Sequence, residues 1–354
     1  MYGELSAWPL GLVRAAGRGL AFGPAVWEGT GMGRVLGRSG IEVSEVGFGC
    51  WAIGGPAIAD GMPDGWGDVD DEESVAALRR GLELGVTFFD TADVYGAGHS
   101  EQVLGRALAG HRDEVVIATK FGYTFDAGQR VIAGEDTSPG YIRRACRASL
   151  RRLGTDRIDL YQLHVGDLPA GRAQEVAGTL DGLAADGLIR GYGWSTSDPQ
   201  RAAAFAGGSR GTAIQHELNV LADAPAMLAA CDAFDLASIN RGPLAMGLLT
   251  GKYGPGTQLP ADDVRSAQPW VGYFAGGRPA PRWLTRLDAI REVLASGGRT
   301  LAQGALCWLL ARSPRAVPIP GIKTVSQAEQ NAAALHLGPL SAAEMTEITR
   351  LLGT

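Results

Sequence analysis

Eight short apolar runs, separated by stretches with helical spacing, dominate this chain of 354 residues. They are Val46–Gly49, Val86–Asp90, Glu114–Lys120, Ile158–His164, Ile189–Ser195, Ala213–Asn219, Asp235–Asn240 and Ala316–Gly321. Runs of this kind predict strands covered on both faces, as in a parallel sheet. Between them, Val75, Leu78 and Leu82 share a helix face behind the acidic start Asp70–Glu73, where carboxylates suit the positive end of the helix dipole. Val176, Leu180 and Leu183 repeat the pattern before a stop at Asp186–Gly187. Eight βα units in one chain predict an α/β protein closed into a single (β/α)8 barrel, the TIM barrel, with an open doubly wound sheet as the competitor.

Ahead of the first run, RVLGRSGIEVSEVGFG predicts an N-terminal β-hairpin turning at Arg38–Gly40. Two interruptions, Gly122–Pro139 and Tyr253–Arg282, follow strand C-termini and are expected as long loops at the C-terminal rim. The second carries Trp270, Tyr273 and Phe274 and reads as a substrate lid or a packed surface loop. Residues 1–31 show neither period, so they are expected to be an extension, or an early start, ahead of a barrel at 32–354.

Composition narrows the function. With 32 Lys+Arg against 38 Asp+Glu, a net charge of −6 and no basic block, the chain lacks a nucleic-acid footprint. No apolar stretch reaches the roughly 18–20 residues of a membrane span. Cys50, Cys146, Cys231 and Cys307 are scattered, which predicts free thiols, no metal site and a cytoplasmic location.

Gly47-Phe-Gly49-Cys-Trp-Ala52 fits G-x-G-x-x-A, the dinucleotide finger that follows a strand. That finger needs a helix to begin at its last small residue, whereas AIGGPAIADGMPDGWGD is a very poor helix. The expectation is that these glycines let the backbone pass close to something flat at the barrel mouth.

Chemistry gathers where the strands end. FFD closes on Asp90, IATK on Lys120 and YQLH on His164, and Tyr95 follows in DTADVYG. Barrel active sites are built on that edge. Free tyrosine has a pKa of about 10. A neighbouring Lys is expected to lower it, and an Asp beside the Lys to keep the ammonium charged. His164 would orient a carbonyl oxygen or share the proton. Such a set donates a proton to a carbonyl and needs a hydride from elsewhere, which a nicotinamide supplies.

With these residues goes an ordered set of landmarks: FGCWAIGG, FFDTADVYG with SEQVLGRAL, VVIATK, IDLYQLH, PLAMGLLTGKY and IPGIKTVSQAEQN. From about Arg34 onward the chain resembles an aldo-keto reductase. The resemblance implies the catalytic tetrad Asp90, Tyr95, Lys120 and His164 and NADP(H) as cofactor, with NAD(H) left open. It places Ser195, Thr196 and Gln215 at the nicotinamide carboxamide, with Thr196 where Asn or Arg is commoner. Arg241 falls where an aromatic usually stacks under the nicotinamide; a guanidinium can stack there but sits less comfortably beneath an oxidised ring. Pro243, Leu244, Gly247 and Lys252 fall at the pyrophosphate, and Gly321, Lys323, Gln327, Gln330 and Asn331 at the adenosine end. Lys323 is the candidate for the 2′-phosphate.

For the substrate, Trp51, Trp66, Tyr123 and Trp194 are candidate pocket walls, and no charged anchor for a sugar acid or phosphate is evident. The expected reaction is reduction of an aldehyde or ketone, or the reverse. The alternatives are a Schiff-base lyase using Lys120 and a cofactor-binding regulatory module similar to the potassium channel β subunits.

Overall fold

The computed structural model describes residues 33–353; the expectation for 1–31 lies outside them. All eight apolar runs form strands: β1 Phe48–Gly49, β2 Phe88–Asp90, β3 Val116–Phe121, β4 Ile158–Leu163, β5 Ile189–Ser195, β6 Gly211–Glu217, β7 Ala237–Arg241 and β8 Ala316–Pro318. Each pairs in parallel with the next in sequence from β1 to β7, and β7 with β8.

The ring is closed by an unequal seam. Pro318 and Pro320 have no N–H to give, so their carbonyls only accept, from Gly47 N and Gly49 N, each at 2.9 Å. A parallel bridge between Gly49 and Gly321 completes the closure. A Cβ on Gly49 would meet the Ile319 carbonyl at 2.8 Å, and one on Gly47 the Phe88 ring at 2.6 Å. The glycines therefore serve the close approach of two strands, and Gly49 also faces the cleft at the mouth.

Helices cover the outside: α1 Asp71–Glu83, α2 His99–Ala107, α3 Pro139–Leu153, α4 Ala170–Ala185, α5 Pro199–Ala206, α6 Pro225–Phe234, α7 Pro281–Leu294, α8 Leu301–Arg312, α9 Val325–Ala332 and α10 Ala342–Leu352. Asp70 caps α1, its carboxylate accepting from Glu72 N and Glu73 N. Gly187, at φ +75, follows the end of α4 at the expected stop. Among the described residues no helix is long and apolar enough to cross a membrane.

The expected hairpin pairs Arg34–Val35 with Glu42–Val43 and closes the barrel floor. Its Leu36, Ile41 and Val43 pack with Phe88, Val116, Ala118, Leu160, Ala213, Ala237 and Ile239, the inward residues at the strands' N-terminal ends. Arg38 ties the turn to β6 through the Gly211 carbonyl at 2.9 Å.

The first rim interruption is not an irregular loop. Tyr123–Asp126 and Val131–Glu135 form a hairpin that adds in parallel to a second one, Ile58–Ala59 with Met62–Pro63, giving a four-stranded sheet. The alternation of Tyr123 and Phe125 and the turn Asp126-Ala-Gly128 carried that information. Asp126 Oδ1 accepts from Gly128 N and Gln129 N in the turn. The second interruption holds a short helix, Val264–Ala267, and a two-residue ladder, Phe274–Ala275 with Arg278–Pro279.

Since Leu36 is fully buried against the strand ends, Leu36→Ala is expected to cost about 2–5 kcal/mol of unfolding free energy. Urea titration checks this; a loss below about 0.5 kcal/mol would mean that the hairpin unfolds separately from the barrel.

Candidate active site

Period-two geometry sorts the inner face of the barrel into levels. The inward positions begin apolar, at Phe88, Ala118, Leu160, Ala213 and Ile239. Two residues further along each strand they turn polar: Asp90, Lys120, Gln162, Gln215 and Arg241. Asp90, Lys120, Gln162 and Gln215 are all buried. A polar centre thus lies directly above an apolar floor.

Lys120 organises that centre. Its ammonium donates to Asp90 Oδ1 at 2.5 Å, to the Thr91 carbonyl at 2.8 Å and to the Tyr95 hydroxyl oxygen at 3.1 Å. These three bonds use all three of its protons. Tyr95 Oη is therefore an acceptor toward Lys120, and its own proton is left to point elsewhere. Asp90 Oδ2 accepts from Gln162 Nε2 and Gln215 Nε2, both at 2.8 Å, so neither carboxylate oxygen is left bare. Gln162 was missed in the sequence, although its parity with Leu160 and His164 in IDLYQLH was the clue. The turn carrying Tyr95 is held by Ser100, whose hydroxyl bonds the Cys50 carbonyl at 2.7 Å and pairs with Thr91 Oγ1 at 2.8 Å.

His164 follows β4 and meets Tyr95 edge-on, ring centres 5.7 Å apart. Its Nδ1 is buried without a hydrogen-bond partner among the described residues. Burial, aided by the charges of Lys120 and Arg241, holds its imidazole well below the ordinary value, so the ring is neutral near pH 7. On Lys120, burial alone would favour loss of the proton, but Asp90 and Tyr95 outweigh it and the ammonium is held above its usual range. Tyr95 departs from the expectation. Burial pushes its phenol up, Lys120 pulls it down without cancelling the rise, and Asp90 adds to it. The result is a protonated donor and not a depressed one.

Beside this centre a cleft of about 640 Å³ runs along the C-terminal rim. Most of the expected cofactor positions line it: Gln215, Arg241, Pro243, Leu244, Gly247, Lys252, Gly321, Lys323, Gln327, Gln330 and Asn331. Ser195 and Thr196, at the end of β5, are buried and do not belong to its wall; the Thr196 hydroxyl bonds the Gly166 carbonyl at 3.3 Å. Ala245, Met246 and Gly247 are all left-handed, at φ +48, +55 and +91, a concentration of backbone strain beside the cleft.

Two cations of the cleft wall are held by other groups of the protein. Lys323 Nζ is tied to the Trp66 and Asp68 carbonyls at 3.1 and 3.0 Å, pinning the β1–α1 segment across the cleft. Arg265 was missed: it lines the cleft, donates to both oxygens of Asp263 and to Tyr253 Oη at 2.6 Å, and lies over the Trp66 ring at 4.7 Å. The segment Asp262-Asp263-Val264-Arg265 sits mid-loop with no periodicity to single it out.

Of the proposed pocket aromatics, Trp51 stacks on Tyr95 with ring centres at 5.9 Å, and Trp66 meets Trp51 edge-on at 5.4 Å. Trp270, 56% exposed, stacks on the outer face of Trp51 at 6.0 Å. Tyr123 lies edge-on to His164 at 5.3 Å, outside the cleft wall. Trp194 does not belong to the pocket: its even position on β5 turns it to the helix layer, where it packs on Phe205 and bonds the Val165 carbonyl.

Residues 45–352 match the aldo/keto reductase family. The chain is 31% identical over 325 residues to the NADP(+) aldo-keto reductase yakc of Schizosaccharomyces pombe, covering 86% of this chain and 87% of that one. Among solved structures it superposes on the glycerol dehydrogenase AKR11B4 of Gluconobacter oxydans with a TM-score of 0.77 at 29% identity, covering 91% of this chain and 95% of that one. An aldo-keto reductase of Klebsiella pneumoniae in complex with NADPH is 28% identical, with a TM-score of 0.64 and coverage of 91% and 95%. A barrel whose rim joins Asp, Lys and Tyr beside a long cleft, and a match along nearly all of its length, make this chain a member of the aldo/keto reductase family of oxidoreductases.

Proposed function

We propose that the protein is an NADP(H)-dependent carbonyl reductase in which Tyr95 donates the proton, its reverse reaction being oxidation of an alcohol. The observation that carries this reading is the three-fold bonded Lys120, which accounts for its own protons and leaves the Tyr95 proton free for a substrate oxygen.

The cleft suits the cofactor. It is long and open at Gly321, where an added Cβ would find only the Gly49 carbonyl, 4.0 Å away. Lys252 and Lys323 supply positive charge along it, as a phosphate-rich ligand requires. Gln327, Gln330 and Asn331 on α9 would hold the adenosine end, and Lys323 the 2′-phosphate. When bound, the reduced nicotinamide supplies the two electrons and the hydrogen that go to the carbonyl carbon.

The protein's own groups do the rest. Tyr95 passes its proton to the carbonyl oxygen, and the phenolate left behind keeps its bond from the Lys120 ammonium. Asp90, held by Gln162 and Gln215, keeps Lys120 charged and aimed. Neutral His164 offers a ring nitrogen to the substrate oxygen from the other side. Trp51 and Trp66 wall the substrate, and Tyr123 would reach it only through the side of the site that His164 forms. The lyase alternative loses its nucleophile, because Lys120 is a fully buried ammonium with every proton committed.

Tyr95→Phe is expected to lower turnover of an activated aromatic aldehyde by about 10²–10⁴ while NADPH still binds. Binding with no turnover in either protein would favour the regulatory-module alternative. Because the Tyr95 phenol is pushed up, reduction is expected to hold through the neutral range and to fall only on the alkaline side of the ordinary tyrosine range; a pH–rate limb on the acid side of that range would mean that Lys120 outweighs burial. Lys323→Met is expected to raise the NADPH dissociation constant and leave that of NADH unchanged. Equal losses for both would assign Lys323 to pinning the Trp66–Asp68 segment alone.

A further inference from the structure

We propose that Arg241 makes the cleft discriminate between the two redox states of the nicotinamide, weakening the oxidised form relative to the reduced one and so holding the bound couple toward its reduced form. The inference rests on the cofactor reading above.

Arg241 ends β7 on the inward parity of Ala237 and Ile239, so its side chain enters the rim from the barrel's inner face. It pairs in register with Glu217 at the end of β6, two residues beyond the Gln215 that bonds Asp90. It lines the same cleft as Asp90, Tyr95 and Gln215.

Its charge is uncompensated. Among the described residues its one side-chain partner is the neutral Ser197 hydroxyl, at 3.4 Å, and no carboxylate oxygen lies within 4 Å of its guanidinium. The neighbouring Glu217 accepts from the Tyr273 hydroxyl at 2.6 Å and makes no ion pair with Arg241 among the described residues. The other guanidinium on the cleft, Arg265, is neutralised by a two-oxygen contact with Asp263. Arg241 therefore brings a guanidinium without an ion-pair partner to the end of the cleft that Tyr95 lines.

Arg241 shares the cleft wall with Tyr95, and its positive charge favours ionisation of the Tyr95 phenol and disfavours protonation of the His164 imidazole. A ring able to deliver hydrogen to a carbonyl held between these groups must lie beside them, within the same field. The oxidised ring is a cation and the reduced ring is neutral, so repulsion falls on the oxidised form alone. Unequal affinity for the two forms of a couple shifts the equilibrium between them by the same factor. A tenfold preference corresponds to about 30 mV for a two-electron couple.

The test is equilibrium binding, followed by quenching of tryptophan fluorescence or by calorimetry. NADPH, NADP+ and 2′-phospho-ADP-ribose, which lacks the nicotinamide, are titrated into the wild-type protein, Arg241→Gln and Arg241→Lys. Wild type and the lysine variant are expected to favour NADPH over NADP+. The glutamine variant should tighten NADP+ by roughly tenfold relative to NADPH, with 2′-phospho-ADP-ribose unchanged throughout. An NADP+/NADPH affinity ratio that is the same in wild type and Arg241→Gln overturns the proposal, as does a parallel change in all three ligands. A wild-type protein that binds none of them overturns the cofactor reading itself.

Discussion

An ammonium with no exposed surface is stable in a barrel only if its charge and its protons are all accounted for, and Lys120 meets both conditions. The charge is met by Asp90, and the protons by Asp90, Thr91 and Tyr95. Removing either member of such a buried pair leaves the other as an isolated charge, which typically costs about 3–5 kcal/mol. The same contact orients the site: Lys120 spends its protons on Asp90, Thr91 and Tyr95, and the Tyr95 oxygen accepts from it. Structure and reactivity here depend on one ion pair.

The barrel makes that pair affordable. Its floor is apolar, plugged by the buried hairpin residues Leu36, Ile41 and Val43. Two glutamines from β4 and β6 complete the coordination of Asp90 from across the barrel, and they do so only because the ring is closed. Closure itself depends on a narrow seam in which two prolines accept and two glycines donate. A larger side chain at Gly49 would open the seam and loosen the level above it.

Above the polar centre the rim divides its labour. On one side Trp51, Trp66 and Trp270 build an aromatic wall, and Trp51 stacks on Tyr95. On the other, cations and the start of α9 line the cleft. Lys323 joins the two sides, since the carbonyls it holds belong to the segment that carries Trp66. The cofactor side and the substrate side are thus mechanically connected.

Much of this was legible in the chain itself. Eight apolar runs and their spacing are local properties, and they determined the strands, their parallel order and the hairpin. Asp90, Lys120 and His164 were readable because each ends a run, and strand ends converge on one rim of a barrel. What tertiary structure alone decided involves residues far apart in sequence or dependent on parity. Gln162 became visible only when its carboxamide reached Asp90, 72 positions away. Trp194 looked like a pocket wall until its parity turned it outward, and Arg265 emerged from an unpatterned loop. The direction of the Tyr95 shift was also beyond the sequence, which names the charges around a phenol. How deeply the phenol is buried depends on packing, and here burial outweighs the lysine.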